Sequence, residues 1–160
     1  MSRGPALAPQ KSLPLLLRGG TILTLDAAAS VHPDTDLLLE AGRIAALGRR
    51  LAVPAGARVV DVAGHLILPG LVQGHVHLGQ TLFRGLAEGW ALLPWLRERI
   101  WPLEAAHDDA TAYCSGRIGA AECLLGGTTA IQEIGLGPGI EGLLAAIAES
   151  GLRATAGKCL

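Results

Sequence analysis

The sequence lacks three things: an excess of charge of one sign, a long apolar run, and cysteines in pairs. Thirteen Lys and Arg stand against fourteen Asp and Glu, for a net charge of -1. That balance gives no support for a nucleic acid or an acidic membrane surface as partner. No stretch approaches the ~20 consecutive apolar residues of a membrane span. The N-terminal MSRGPALAPQKSLPLLL has its short apolar run broken by Pro14 and no small-residue cleavage site after it, so it does not read as a signal peptide. Cys114, Cys123 and Cys159 are odd in number and show no CxxC spacing. Reduced, mostly buried thiols in a cytoplasmic protein are the expectation. Half the chain is apolar and 17% is charged, which places its 160 residues among globular proteins rather than disordered ones.

Two textures meet near Pro69-Gly70. Residues 1–12 read as a loose tail. From residue 13 to 68, short runs rich in Val, Ile and Leu (LPLLLRG, TILTLD, DLLLEAG, RIAALG, RVVDVAG, HLILPG) alternate with turn signals at Gly19-Gly20, Ala41-Gly42 and Ala63-Gly64. A small antiparallel sheet with hairpin turns is expected there. From 69 to 160 the period changes. LVQGHVHL reads as a strand, and LLPWLRER (Leu92 to Arg99) as a helix. A longer helix should run from Asp108 to a stop at Gly126-Gly127. Its Cys114, Ile118, Ala121 and Leu125 form an apolar stripe, and Gly116, Gly119 and Ala120 keep another side thin. TTAIQEIG, IEGLLAAIAESG and LRATAGKCL then read as strand, helix and strand. That order is the signature of a parallel sheet with right-handed crossovers. Ending on such a strand leaves an uncovered edge, so a longer parent chain is expected.

The segment that carries chemistry is PGLVQGHVHLGQTLFRG. His75 and His77 are two apart in a strand, so both rings leave one face and can converge on one metal at about 2.0–2.1 Å. Gly74 and Gly79 keep bulk away from them. An isolated HxH is more often an ordinary polar pair than a metal site, and the context reverses that: the pair follows a small β-domain, comes after PG and opens a βα series. GLGPG (Gly135 to Gly139) fails as a dinucleotide fingerprint, because its third Gly falls one residue early and no acidic residue stands about 20 positions on; a tight βα loop is the reading. Glu133, near the end of TTAIQEIG, is placed to face the mouth of such a sheet. His65 and His107 fall on surface or turn positions.

The ordered set GRIAALG, VVDVAGHLILPGLVQGHVHL, QTLFRGLAEG with LLPWLRERIWPLE, GGTTAIQE and GLRATAGK resembles the amidohydrolase superfamily. Within it the likeness is to the branch of cytosine, guanine and S-adenosylhomocysteine deaminases and triazine hydrolases, and it spans Leu15 to Leu160. The resemblance implies an α/β fold: the start of a (β/α)8 TIM-like barrel of a metal-dependent hydrolase, preceded by part of a small antiparallel β-sandwich domain and cut after about three barrel strands. About 250 residues are usual for the complete barrel. It also implies hydrolytic deamination of a purine, pyrimidine or triazine-type ring with one divalent metal, Zn²⁺ or Fe²⁺. Chlorohydrolase or amidase chemistry at the same site, or a non-catalytic scaffold, are the alternatives. By the same resemblance His75 and His77 match the first two metal ligands. Glu104 matches a ribose-contacting glutamate and Gln80 a substrate-facing glutamine, while Trp95 and Trp101 are candidate pocket walls. A solvated helix-end carboxylate, core-edge packing and ordinary helix core are the plain alternatives for these residues. The third His, a proton-moving His–Glu pair and a metal-bound Asp belong to later strands, so no catalytic residue is expected in these 160 residues and the chain alone should be inactive. Lys158 lies on the third strand and does not match the carbamylated lysine of two-metal members. The implied partner is a small nitrogen heterocycle, with a homo-oligomer possible for the longer protein.

Overall fold

A computed structural model describes residues 13–135 and 137–158. The tail expected over residues 1–12 and the thiol of Cys159 lie outside the described residues. The chain divides into two units, Met1–Pro69 and Gly70–Leu160. Among the described residues no helix is long and apolar enough to cross a membrane.

The first unit is a five-stranded sheet of β1 (Leu15–Leu23), β2 (Val31–Glu40), β3 (Arg43–Gly48), β4 (Arg58–Asp61) and β5 (Leu66–Ile67). Its core is Leu16, Ile22 and Leu37. Of the three expected hairpin turns, Ala41-Gly42 is one: both residues take positive φ (49° and 73°) between antiparallel β2 and β3. The other two are corrected. Gly19-Gly20 lies inside β1 as a bulge, and Ala63-Gly64 joins β4 to β5, which both run parallel to β1. The sheet is therefore mixed, in the order β3-β2-β1-β4 with β5 also on β1, rather than antiparallel. The physical reason is a crossover. After β3 the chain passes to the far side of β1 and follows it in the same direction, pairing first with Leu15–Arg18 and then with Thr21–Ile22. The break between β4 and β5 sits beside the bulge in β1. Gly20 is needed there, because a Cβ would fall 2.8 Å from Ile67 Cδ1 and 3.1 Å from Val62 Cγ2. The buried Asp36 carboxylate ties the bulge down, accepting from Gly19 N and Leu51 N at 3.0 Å each.

The second unit carries the parallel sheet β6-β7-β8 (Leu71–Val76, Thr128–Gly135, Arg153–Lys158). Between β6 and β7 come a 3-10 turn (Leu78–Phe83), α1 (Leu92–Trp95), a π-helical stretch (Leu96–Ile100), α2 (Trp101–Ala105) and α3 (Asp109–Leu125). Helix α4 (Ile140–Ser150) joins β7 to β8. Asp108 caps α3 through a reciprocal pair with Thr111, and Gly126 and Gly127 end it. The core is Leu78, Ala112, Ala120, Ile131, Leu143, Ile147 and Leu152.

The face that α3 buries is the thin one: Ala112, Ser115, Gly116, Gly119 and Ala120. The expected apolar stripe points the other way, with Ile118 45% and Leu125 89% exposed. Cys114 is exposed on the same side, contrary to the buried thiol expected, and Cys123 is half-buried. Proximity explains the choice. A Cβ on Gly116 would lie 2.9 Å from Leu143 Cδ1 and Ala146 Cβ, and one on Gly119 2.9 Å from Leu78 Cδ2. Only glycine lets α4 and the 3-10 turn come that close.

Candidate metal centre

His75 lies near the C-terminal end of β6, and His77 is one residue past it. Between the pairs Gln73–Ile131 and Val76–Glu133, β6 uses one residue more than β7, a bulge at Gly74-His75. Such bulges re-aim side chains beside functional sites. His77 leaves the strand conformation as the chain turns (φ -126°, ψ 79°), yet its ring still projects to the same side as that of His75. The ring centroids are 4.7 Å apart and nearly perpendicular, and the two Nε2 atoms are 3.1 Å apart. His75 is exposed and His77 half-buried.

Two nitrogens that each sit 2.0–2.1 Å from one cation lie about 2.9–3.4 Å apart for angles from square to tetrahedral. The observed separation falls inside that span, so the pair fits a metal. Among the described residues, no group of three His, Cys, Asp or Glu closes on one point.

The 3-10 turn that follows carries the next polar groups. Gln80 N donates to His77 O at 3.0 Å, and the Gln80 amide donates from Nε2 to Glu104 Oε1 at 2.7 Å. The structure thus brings together two residues 24 apart, both singled out in the sequence. A cavity of about 500 Å³ is lined by His77, Gln80, Arg84, Gly119 and Cys123 among others. A second, of about 270 Å³, is lined by Gln80, Phe83 and Trp95. Gln80 therefore borders both, and Trp95 only the second. Trp101 is 50% exposed and lines neither. Burial pushes the Cys123 thiol up, and the carboxylates of Glu122 and Glu133 push the same way, which keeps it protonated and poorly nucleophilic.

Of three buried residues around the turn that follows the histidine pair, the sequence reading passed over Ser115 and expected Glu133 and His107 to be more open than they are. Glu133 does not face an open mouth: it is 2% exposed, and its Oε2 accepts from Leu78 N at 2.8 Å. Its Oε1 has no partner among the described residues. Burial raises its carboxyl to about 7, with the Leu78 N–H pulling weakly the other way. The signal was available, since Glu133 shares strand parity with the core residue Ile131. His107, expected at the surface, is buried against Phe83, with Nε2 2.8 Å from Gly79 O and Nδ1 3.1 Å from Thr111 Oγ1. Ser115 Oγ lies 2.9 Å from both Leu78 O and Gly79 O.

Comparisons with known proteins bear on the chain as a whole. A 5-methylthioadenosine/S-adenosylhomocysteine deaminase of Nitratidesulfovibrio vulgaris is 38% identical over 149 residues, which cover 91% of this chain and 33% of that one. Triazine hydrolase from Arthrobacter aurescens superposes with a TM-score of 0.79 at 25% identity, covering 92% of this chain and 36% of its own. An adenosine deaminase from Xanthomonas campestris with bound zinc gives 0.78 at 28% identity, covering 91% and 34%. The chain spans about a third of the length of the curated relatives it matches. Residues 66–160, from β5 through the paired histidines to β8, match the amidohydrolase family, and the chain belongs to it.

Proposed function

We propose that this chain contributes the first part of the active site of a metal-dependent hydrolase that deaminates a nitrogen heterocycle. In this reading residues 13–68 are the N-terminal part of a composite β-sandwich domain, and residues 69–160 are the first βα units of a (β/α)8 barrel. The observation that carries it is the 3.1 Å between the Nε2 atoms of His75 and His77 at the C-terminal end of the first parallel strand. Active sites of such barrels are built at that end. A divalent cation held there, Zn²⁺ or Fe²⁺, supplies the Lewis acidity that makes water nucleophilic near neutral pH. The relative and the structural neighbour whose names specify deamination of adenosine-type compounds support this substrate class.

Gln80 and Glu104 are the substrate-facing residues in this reading. The Gln80 amide occupies Glu104 Oε1, which leaves Glu104 Oε2 and Gln80 Oε1 as acceptors on two linked side chains. Acceptors on two linked side chains suit a ligand that offers hydroxyl donors, as a ribose does. Trp95 walls the cleft beyond Gln80. Chlorohydrolase chemistry at the same site is the second reading, favoured by the structural match to the triazine hydrolase.

Within these 160 residues the metal has two protein ligands, which sets the scale of what the chain does alone: weak binding and no turnover. Zinc titration followed by the side-chain nitrogen resonances of histidine tests the pair. One site that moves the His75 and His77 signals together, and disappears in His75→Ala and in His77→Ala, is the expected result. Zinc that binds without moving either ring refutes the reading, and ammonia release from adenosine by this polypeptide refutes the claim of inactivity.

A further inference from the structure

Among the described residues of the second unit four polar side chains are buried: His107, Ser115, Thr128 and Glu133. Three of them, from three different parts of the chain, spend hydrogen bonds on the same two residues. Glu133 of β7 accepts from Leu78 N at 2.8 Å. Ser115 of α3 reaches Leu78 O and Gly79 O at 2.9 Å each. His107, between α2 and α3, reaches Gly79 O at 2.8 Å. Leu78 and Gly79 directly follow His77. Burying three polar groups around one turn is costly unless each is paired, and one carboxylate oxygen of Glu133 stays unpaired even so. A turn that only needed to be compact would be served by apolar packing, which Leu78 already provides from the core.

We infer that Glu133, Ser115 and His107 form a buried polar clamp on the Leu78–Gly79 backbone, and that they act as positioning residues for the His75–His77 pair. The clamp acts through the chain. Leu78 N–H belongs to the peptide that leaves His77 and Leu78 C=O to the next one, so holding both fixes the backbone on the far side of His77 and with it the direction in which the ring projects. The hydrogen bond of Glu133 crosses 55 residues of sequence, so it also locks the end of β6 to β7 at the point where the ladder pairs Val76 with Glu133. Ligand geometry held by such outer partners is worth about 10–100-fold in metal affinity. This inference takes the histidine pair as the metal pair proposed above.

The test uses the 160-residue chain with two readouts: the nuclear Overhauser contact between the His75 and His77 rings without metal, and the zinc dissociation constant of the pair. Glu133→Ala should abolish the ring contact and weaken zinc binding at least tenfold. Glu133→Gln keeps an acceptor for Leu78 N–H and should stay within about threefold of the parent chain. Leu143→Ala, a core truncation on α4 that removes no hydrogen bond from the turn, serves as the control for lost stability and should leave both readouts in place. If Glu133→Ala fails to fold, Ser115→Ala removes its contacts with Leu78 O, Gly79 O and Leu82 N at little cost in volume and must show the same loss in milder form. A Glu133→Ala or Ser115→Ala chain with intact ring contact overturns the clamp, as does a Leu143→Ala chain that loses it equally. A parent chain that shows the ring contact but no zinc response sinks the metal reading alone, and the ring contact in the variants then decides the clamp.

Discussion

At the scale of single residues, Glu133 sets the most specific expectation, because its carboxyl is raised from 4.5 to about 7 by burial. Below pH 4.5 the acid is neutral in both folded and unfolded chains and contributes no difference. Between 4.5 and 7 the unfolded chain ionises first, so the folded state holds the extra proton and loses stability as pH rises. Above 7 the whole penalty applies, and the gap corresponds to roughly 3 kcal/mol at most. Urea midpoints should therefore fall from pH 5 to pH 8 more steeply in the parent chain than in Glu133→Gln. Equal slopes in the two would show that Glu133 titrates normally. Strand parity alone places Glu133 beside Ile131, but parity cannot say whether an inward carboxylate meets a partner. Leu78 N is 55 residues away and becomes its neighbour only when β6 and β7 pair. His75 and His77 were legible because two residues apart on an extended backbone is a purely local rule. His107 was not, since its burial depends on the 3-10 turn folding back over it.

At the scale of elements, helix α3 shows what a periodic pattern reports and what it misses. Its start, its stop and its thin face are all local: the Asp108–Thr111 capping pair, Gly126-Gly127, and glycines spaced three apart. Removing the cap with Asp108→Ala should cost about 1 kcal/mol in urea denaturation, against an unchanged result for a solvated carboxylate. Gly116→Val should cost about 1–3 kcal/mol by overpacking, because its Cβ alone meets Leu143 and Ala146 at 2.9 Å. A neutral Gly116→Val would mean that α4 can retreat without loss. Which of two competing faces is buried is not a local property. The stripe of Ile118 and Leu125 looks like the core side by hydropathy, yet the neighbours present here approach the glycine side. The mixed sheet of the first unit failed for the same kind of reason: β4 and β5 carry the strand composition expected, but direction is decided by a crossover that no turn residue announces.

At the scale of the whole molecule, the surface of each unit argues for self-association of this polypeptide. In the second unit Val72 is 74% exposed, Leu71 50%, Ile118 45% and Leu125 89%, so both the first parallel strand and the outer face of α3 present apolar side chains to water. Within the described residues β6 and β8 each pair on one side only, which leaves two rows of unsatisfied backbone groups on a parallel sheet. The first unit adds Ile44 at 67% and Leu66 at 63%. Net charge of -1 supplies almost no repulsion to keep copies apart. Burial of exposed apolar surface gains about 25 cal/mol per Å², so covering a few hundred Å² between copies is favourable by several kcal/mol before the cost of association. Sedimentation velocity at micromolar concentration should show a distribution of oligomers, and Val72→Lys with Leu125→Lys should shift it toward monomer. A single monomeric species with a sharp, cooperative melt would show that these faces are satisfied within one copy.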